Sequence, residues 1–188
     1  MKKRLLRVAG LLALAVCLCA GCTSVSKNIT TVSPAMQRYE ISSCMVLPFL
    51  SEEGSYAGGY PRVMYNGAEK ITGLVRDRLT ETFPYVLDRY TTYRMIEDAD
   101  RQLAEADLSL EDIMKSSFDA DAVIAGKVID YNPSRVGFFI KCVYLRDEET
   151  LWTGEVEVKV SGATLDIEKA ANLAVEKVIG DLEAKLGR

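Results

Sequence analysis

The chain has 188 residues, a formal charge of −4, 48% hydrophobic residues, five cysteines and no histidine. That length fits one ordinary domain with extras, and that hydrophobic fraction belongs to a chain that folds. An acidic balance argues against nucleic-acid binding, which needs a basic face to neutralise phosphates. The missing histidine excludes His-dependent triads and His-based zinc sites.

Lys2, Lys3, Arg4 and Arg7 precede an uncharged run, residues 8–21, VAGLLALAVCLCAG. A basic start followed by an apolar stretch of this length is a secretory signal, too short to span a membrane comfortably. The stretch ends Leu18-Cys19-Ala20-Gly21-Cys22. This resembles a bacterial lipoprotein signal, in which small residues precede a cysteine that is acylated and becomes the mature N-terminus. Cys19 departs from the family, which usually has Leu there. The resemblance implies cleavage before Cys22 and lipidation of Cys22. Thr23, where sorting to the inner membrane would favour Asp, implies the outer membrane with the domain facing the periplasm. Several acyl chains on one residue exceed the two-signal threshold for stable anchoring. Cleavage removes four of the 23 basic residues and none of the 27 acidic ones, leaving a charge of −8.

Residues 23–34, TSVSKNITTVSP, are half Ser and Thr and read as a flexible tether, part of a linker segment 22–40. The globular domain is expected over 41–188. Residues 44–50, CMVLPFL, predict a strand with Pro48 at its edge or end. Residues 51–60 form a glycine-rich loop with Tyr56 and Tyr60. Met64, Ala68, Ile71, Val75 and Leu79 share one face of a helix over about 62–82. Pro84 stops it, and Tyr85-Val86-Leu87 reads as a short strand. A helix bearing Ile96, Ala99 and Leu103 follows, then a short one opened by a Ser109/Asp112 capping box. Residues 121–131, 135–145 and 151–160 read as three strands. In the last, Trp152, Val156, Val158 and Val160 alternate with polar residues, as in a sheet with one solvated face. A final helix over 165–186 carries Ile167, Ala170, Ala174, Val178 and Leu182 inward, with Gly187 as its stop. The order predicts an α/β (α+β) domain, a mixed sheet of about five strands with helices packed mainly on one face.

Chemistry is sparse. Glu52 and Glu53 are adjacent on a loop and do not converge by spacing. The Asp98/Asp100 and Asp119/Asp121 pairs lack the Gly and Glu of a calcium loop. Gly54, Gly58 and Gly59 match no phosphate-binding motif. Cys44 lies in an apolar strand without a base, which suits a structural thiol better than a nucleophile. No catalytic residue, cofactor or metal site is expected. Tyr56, Tyr60 and Tyr65, with Tyr85, Tyr90 and Tyr93, form a tyrosine-rich region that suits an interaction surface or the packing of helix on sheet.

Three segments carry a further resemblance. They are Val46-Leu47-Pro48-Phe49; Tyr85-Val86-Leu87-Asp88-Arg89 leading to Met95-Ile96-Glu97; and Asp119 to Val128, ADAVIAGKV following the first Asp, with Leu145-Arg146-Asp147 and Thr150 to Gly154 beyond. Together they resemble the envelope-lipoprotein group that includes the curli secretion component CsgG, the penicillin-binding-protein activator LpoB and the N-terminal domain of TolB. The resemblance covers about residues 44–160. It implies a non-enzymatic outer-membrane lipoprotein whose domain binds an envelope protein, a peptidoglycan synthase or a secretion or surface-assembly component. The alternative is a subunit of a periplasmic ring or collar, a homo-oligomer. The short stretch between Tyr131 and Trp152 leaves no room for the two membrane-spanning hairpins of a curli-type pore. In an oxidising periplasm Cys44 and Cys142 could form a disulfide, worth about 4–5 kcal/mol for a loop of about a hundred residues. They could equally be two small buried hydrophobes on separate strands.

Overall fold

The computed structural model describes residues 22–51, 66–105, 120–132, 134–161 and 166–187. In chain order these form β1 (Cys22–Val32), a 3-10 turn (Pro34–Gln37), β2 (Ser43–Val46), β3 (Leu50–Ser51), α1 (Asn66–Leu79), β4 (Tyr85–Val86) and α2 (Arg89–Glu105). After them come β5 (Ala122–Asn132), β6 (Arg135–Tyr144), β7 (Glu149–Ser161) and α3 (Ile167–Leu186). The strands make one open mixed sheet in the order β1-β7-β6-β5-β2-β4, with β3 also on β5. β1, β7, β6 and β5 pair antiparallel. β2, β3 and β4 add a parallel part.

The predicted alternation of β7 holds. Trp152, Val156, Val158 and Val160 are buried, and Lys159 is exposed. Ala68, Ile71, Val75 and Leu79 of α1 and Ala170, Ala174, Val178 and Leu182 of α3 are buried against that face. The start of β5 is covered on both sides, as its apolar run predicts. Ile124 joins the main core, while Val123 joins a smaller cluster with Met45, Leu87 and Leu145 on the other face. α2 reaches that second cluster through Met95. The capping box at Ser109 lies outside the described residues.

α3 has both predicted ends. Asp166 accepts from the Lys169 N–H at 2.9 Å, and Gly187 stops the helix at φ 74°, a left-handed conformation that glycine adopts without penalty. Its small residues let it lie close to the sheet, packing on β7, β1, β6 and α1. The contact with α1 is closed by Glu183, whose carboxylate takes both Arg78 guanidinium nitrogens at 3.0 and 2.7 Å and the Thr82 hydroxyl at 2.9 Å. Both charged groups are mostly covered, with side-chain exposures of 27% and 19%. Glu183→Ala leaves Arg78 without that fork. It is expected to cost about 1–3 kcal/mol, read as a lowered urea midpoint at unchanged slope.

One expectation is corrected here. Residues 23–34 are not a tether. Residues 22–32 form β1, an edge strand paired with β7 from Cys22 opposite Ser161 to Val32 opposite Trp152. Thr30 is buried, Asn28 donates to Asp181 of α3 at 2.9 Å, and Lys185 donates to the Thr30 carbonyl. The Ser33 N–H continues the ladder to the Leu151 carbonyl at 2.8 Å. The physical reason lies in β-branching. Thr, Val and Ile fit a pleated surface, and an edge strand with one wet face takes Ser, Thr and Lys without cost. With β1 and β3, the described sheet has seven strands rather than about five.

Candidate interaction surfaces

Cys22 is the first residue of β1. It lies at the end of the sheet where β5 turns into β6, since Asn132 pairs Arg135 and Arg135 pairs Lys159, two residues before Ser161 on β7. Tyr56, Tyr60 and Tyr65 lie outside the described residues, as do Glu52, Glu53, Gly54, Gly58 and Gly59. Tyr85 and Tyr90 are exposed.

Cys44 and Cys142 are both buried free thiols, the second of the two readings offered above, and not a disulfide. Cys44 lies opposite Ala122 and Cys142 opposite Ile124, on the two strands that flank β5. Strands two places apart are about 9–10 Å from each other, beyond the Cα separation a disulfide spans. Burial pushes the Cys44 thiol up to about 12 and raises that of Cys142 as well. Because the folded values lie above those of the unfolded chain, the thiols favour the fold below about pH 9. That contribution is lost as pH rises toward 12. In residues 22–188 carrying Cys22→Ser, neither thiol is expected to react with Ellman's reagent at about pH 8 until denaturant is added. Fast labelling of the folded chain would contradict this.

No described helix covers the other face of β1, β7, β6 and β5. The residues of that face alternate in sign across the strands. Lys27 pairs with Glu155 at 2.6 Å, and Arg135 bridges Asp130 and Glu157 at 3.5 and 3.6 Å. The Ser26 hydroxyl donates to Glu157 at 2.6 Å and, with Arg135, Lys159 and Lys27 nearby, holds that carboxyl below its usual range. These exposed pairs add little to stability. Among them stand Ile29 and Phe139, 53% and 37% exposed, on one row of the sheet with Glu155 between them. Ile129, the extra residue at the bulge of β5, is 40% exposed. The outer edge of β1 is unpaired among the described residues, so eleven residues of strand end the sheet. At the opposite edge β4 has two.

Beyond β1 the chain is pinned by a contact that sequence reading missed. Tyr39 stacks on Tyr144 with ring centroids 4.1 Å apart and donates to Glu149 at 2.9 Å. The carboxylates of Asp147 and Glu149 raise the Tyr39 hydroxyl well above its usual value. Among the described residues no group of three or more Cys, Asp and Glu could hold a metal ion. No described helix is long and apolar enough to cross a membrane.

No protein-family model matches the sequence, and no curated protein matches it. The fold is similar to solved structures. A PelC dodecamer from Paraburkholderia phytofirmans overlays 86% of this chain and 96% of its own at TM-score 0.51 and 11% identity. A second PelC dodecamer, carrying L103M, overlays 84% and 98% at TM-score 0.53 and 11% identity. The lipoprotein GNA1162 from Neisseria meningitidis overlays 75% and 96% at TM-score 0.47 and 19% identity. At these identities the likeness is one of fold.

Proposed function

We propose that this chain is a non-enzymatic lipoprotein of the bacterial outer membrane, acylated at Cys22, whose periplasmic domain works by binding another envelope protein. The observation that carries the reading is the long edge of β1, unpaired among the described residues, which begins at the proposed anchor and adjoins a sheet face that no described helix covers. An unpaired edge of this length is a template for a further strand, and the exposed Ile29 and Phe139 offer apolar contacts beside it. Acylation confines the domain to the membrane surface and raises its local concentration there. With β1 inside the sheet, the anchor holds the domain close to the bilayer instead of on a leash.

The comparison favours a second reading, assembly with copies of the same chain. The PelC structures share this fold over most of both chains and are dodecamers. Light scattering on the mature chain with Cys22→Ser separates the two. A discrete multiple of the monomer mass supports the oligomer, and a strict monomer contradicts it. Photo-crosslinkers at Ile29 and Phe139 test the binding surface in living cells. Discrete adducts from these positions, and none from Glu97 on α2, are expected. Adducts that do not depend on position would overturn it.

A further inference from the structure

The parallel part of the sheet holds a crevice that neither reading above uses. β2 and β4 are parallel neighbours, with Ser43 opposite Tyr85 and Cys44 opposite Val86. The helix after β2, α1, packs on the face that carries the main core. The helix after β4, α2, reaches the other face through Met95. Two adjacent parallel strands whose following helices leave on opposite faces open a gap beyond their carboxyl ends. That is where open α/β sheets take up ligands. A cleft of about 40 Å³ lies there, between Pro48 past β2, Glu69, Gly73 and Arg76 on α1, and Arg89 and Tyr93 on α2. One water needs about 10–15 Å³ on this measure, so the cleft has room for a small group of several heavy atoms.

Its charge is unbalanced. Glu69 is engaged by Arg89 at 2.5 Å, and the Arg89 guanidinium lies 5.4 Å from the centre of the Tyr93 ring. Arg76 is not bonded to any described carboxylate, although Asp77 and Asp88 lie near enough to act on its charge. Its Nη2 donates to the Val46 carbonyl at 3.3 Å. Its Nε–H is fully buried with no hydrogen-bond partner. Burial lowers the Arg76 pKa from its usual value, helped by Arg89 and opposed by Tyr93, Asp77 and Asp88. A half-buried guanidinium with an orphaned donor is a costly arrangement for the free protein, and an oxyanion in the cleft would offset its charge. Thr72, also lining the cleft, is occupied: its hydroxyl accepts from the Phe49 N–H and donates to the Ala68 carbonyl.

We propose that this crevice is a binding site for a small oxyanion, a carboxylate or a phosphate group, held by the Arg76 guanidinium with Arg89 as the second cation. The planar guanidinium fork suits both groups. The site is independent of lipidation and of the sheet edge, and it gives the domain a second ligand class, acidic small molecules or an acidic group on a larger one.

The test is nitrogen-15 NMR of the arginine Nε–H resonances in the mature chain carrying Cys22→Ser. Sodium acetate, inorganic phosphate and sodium chloride are titrated at constant ionic strength. The Arg76 resonance is assigned by its absence in Arg76→Lys. A saturable shift with a midpoint of about 1–10 mM is expected for acetate, phosphate or both, and none for chloride. Saturation by acetate alone assigns a carboxylate, and by phosphate alone a phosphate group. Arg89→Gln, at an exposed position, should weaken binding several-fold while leaving the fold intact by circular dichroism. Shifts that stay linear for all three salts overturn the site, as does saturation of the Arg76 resonance unchanged in Arg89→Gln, or of the Arg89 resonance unchanged in folded Arg76→Lys.

Discussion

A chain shortened to begin at Ser33 is expected to lose cooperative folding at 25 °C, whereas the chain beginning at Thr23 unfolds in one transition. Deleting a tether would change nothing. Deleting β1 strips the pairing of ten residues from β7, removes buried Thr30, and cuts the bonds from Asp181 and Lys185 of α3. It also bares Trp152 and Val156 at a new edge, both essentially inaccessible in the intact domain. The loss is expected to exceed about 5 kcal/mol, the low end of the net stability of a domain this size. Urea unfolding followed by near- and far-ultraviolet circular dichroism reads it. An unchanged midpoint would show that residues 23–32 lie outside the cooperative unit.

Gly154→Val is the second large effect, and it acts by overfilling. A Cβ at Gly154 would stand 2.3 Å from the Val178 Cγ2 and 2.9 Å from the Ile140 Cγ2. Gly154 sits mid-strand in β7 under α3, so the added group meets the helix face directly. Such crowding costs about 1–3 kcal/mol or more, because helix and sheet must separate. The double variant Gly154→Val with Val178→Ala should recover much of the loss, a coupling expected of residues in contact. Equal losses in the single and double variants would contradict the packing.

Both positions show what the sequence could and could not say. Helix faces were legible because the 3.6-residue period survives in Ala68, Ile71, Val75 and Leu79 and again along α3. The mixed sheet, the solvated face of β7 and the Gly187 cap followed from local pattern in the same way. β1 was not legible, because a Ser- and Thr-rich edge strand shares its composition with a linker, and only its β-branched residues set it apart. The thiols needed topology. Nothing local says that β5 runs between Cys44 and Cys142. Of the expected site residues, Cys22 is placed at the start of the sheet, and the three loop tyrosines fall outside the described residues. The Arg76 cleft arises from two helices leaving opposite faces of the sheet, which no spacing in α1 or α2 announces. Ile29 and Phe139 stand on one row, yet lie more than a hundred residues apart in sequence and meet only through the register of β7.

The functional account rests on Cys22 serving two purposes, anchor and first residue of the sheet. An acyl group there would set the domain against the membrane by the end that carries the turn between β5 and β6. The measurement that tests this most directly is the intact mass of the protein purified from bacterial membranes. The account predicts residues 22–188 with acyl chains on Cys22, and an unprocessed precursor when Cys22→Ser is expressed. A mature protein cut elsewhere, or one beginning at Cys22 without acyl chains, would contradict it.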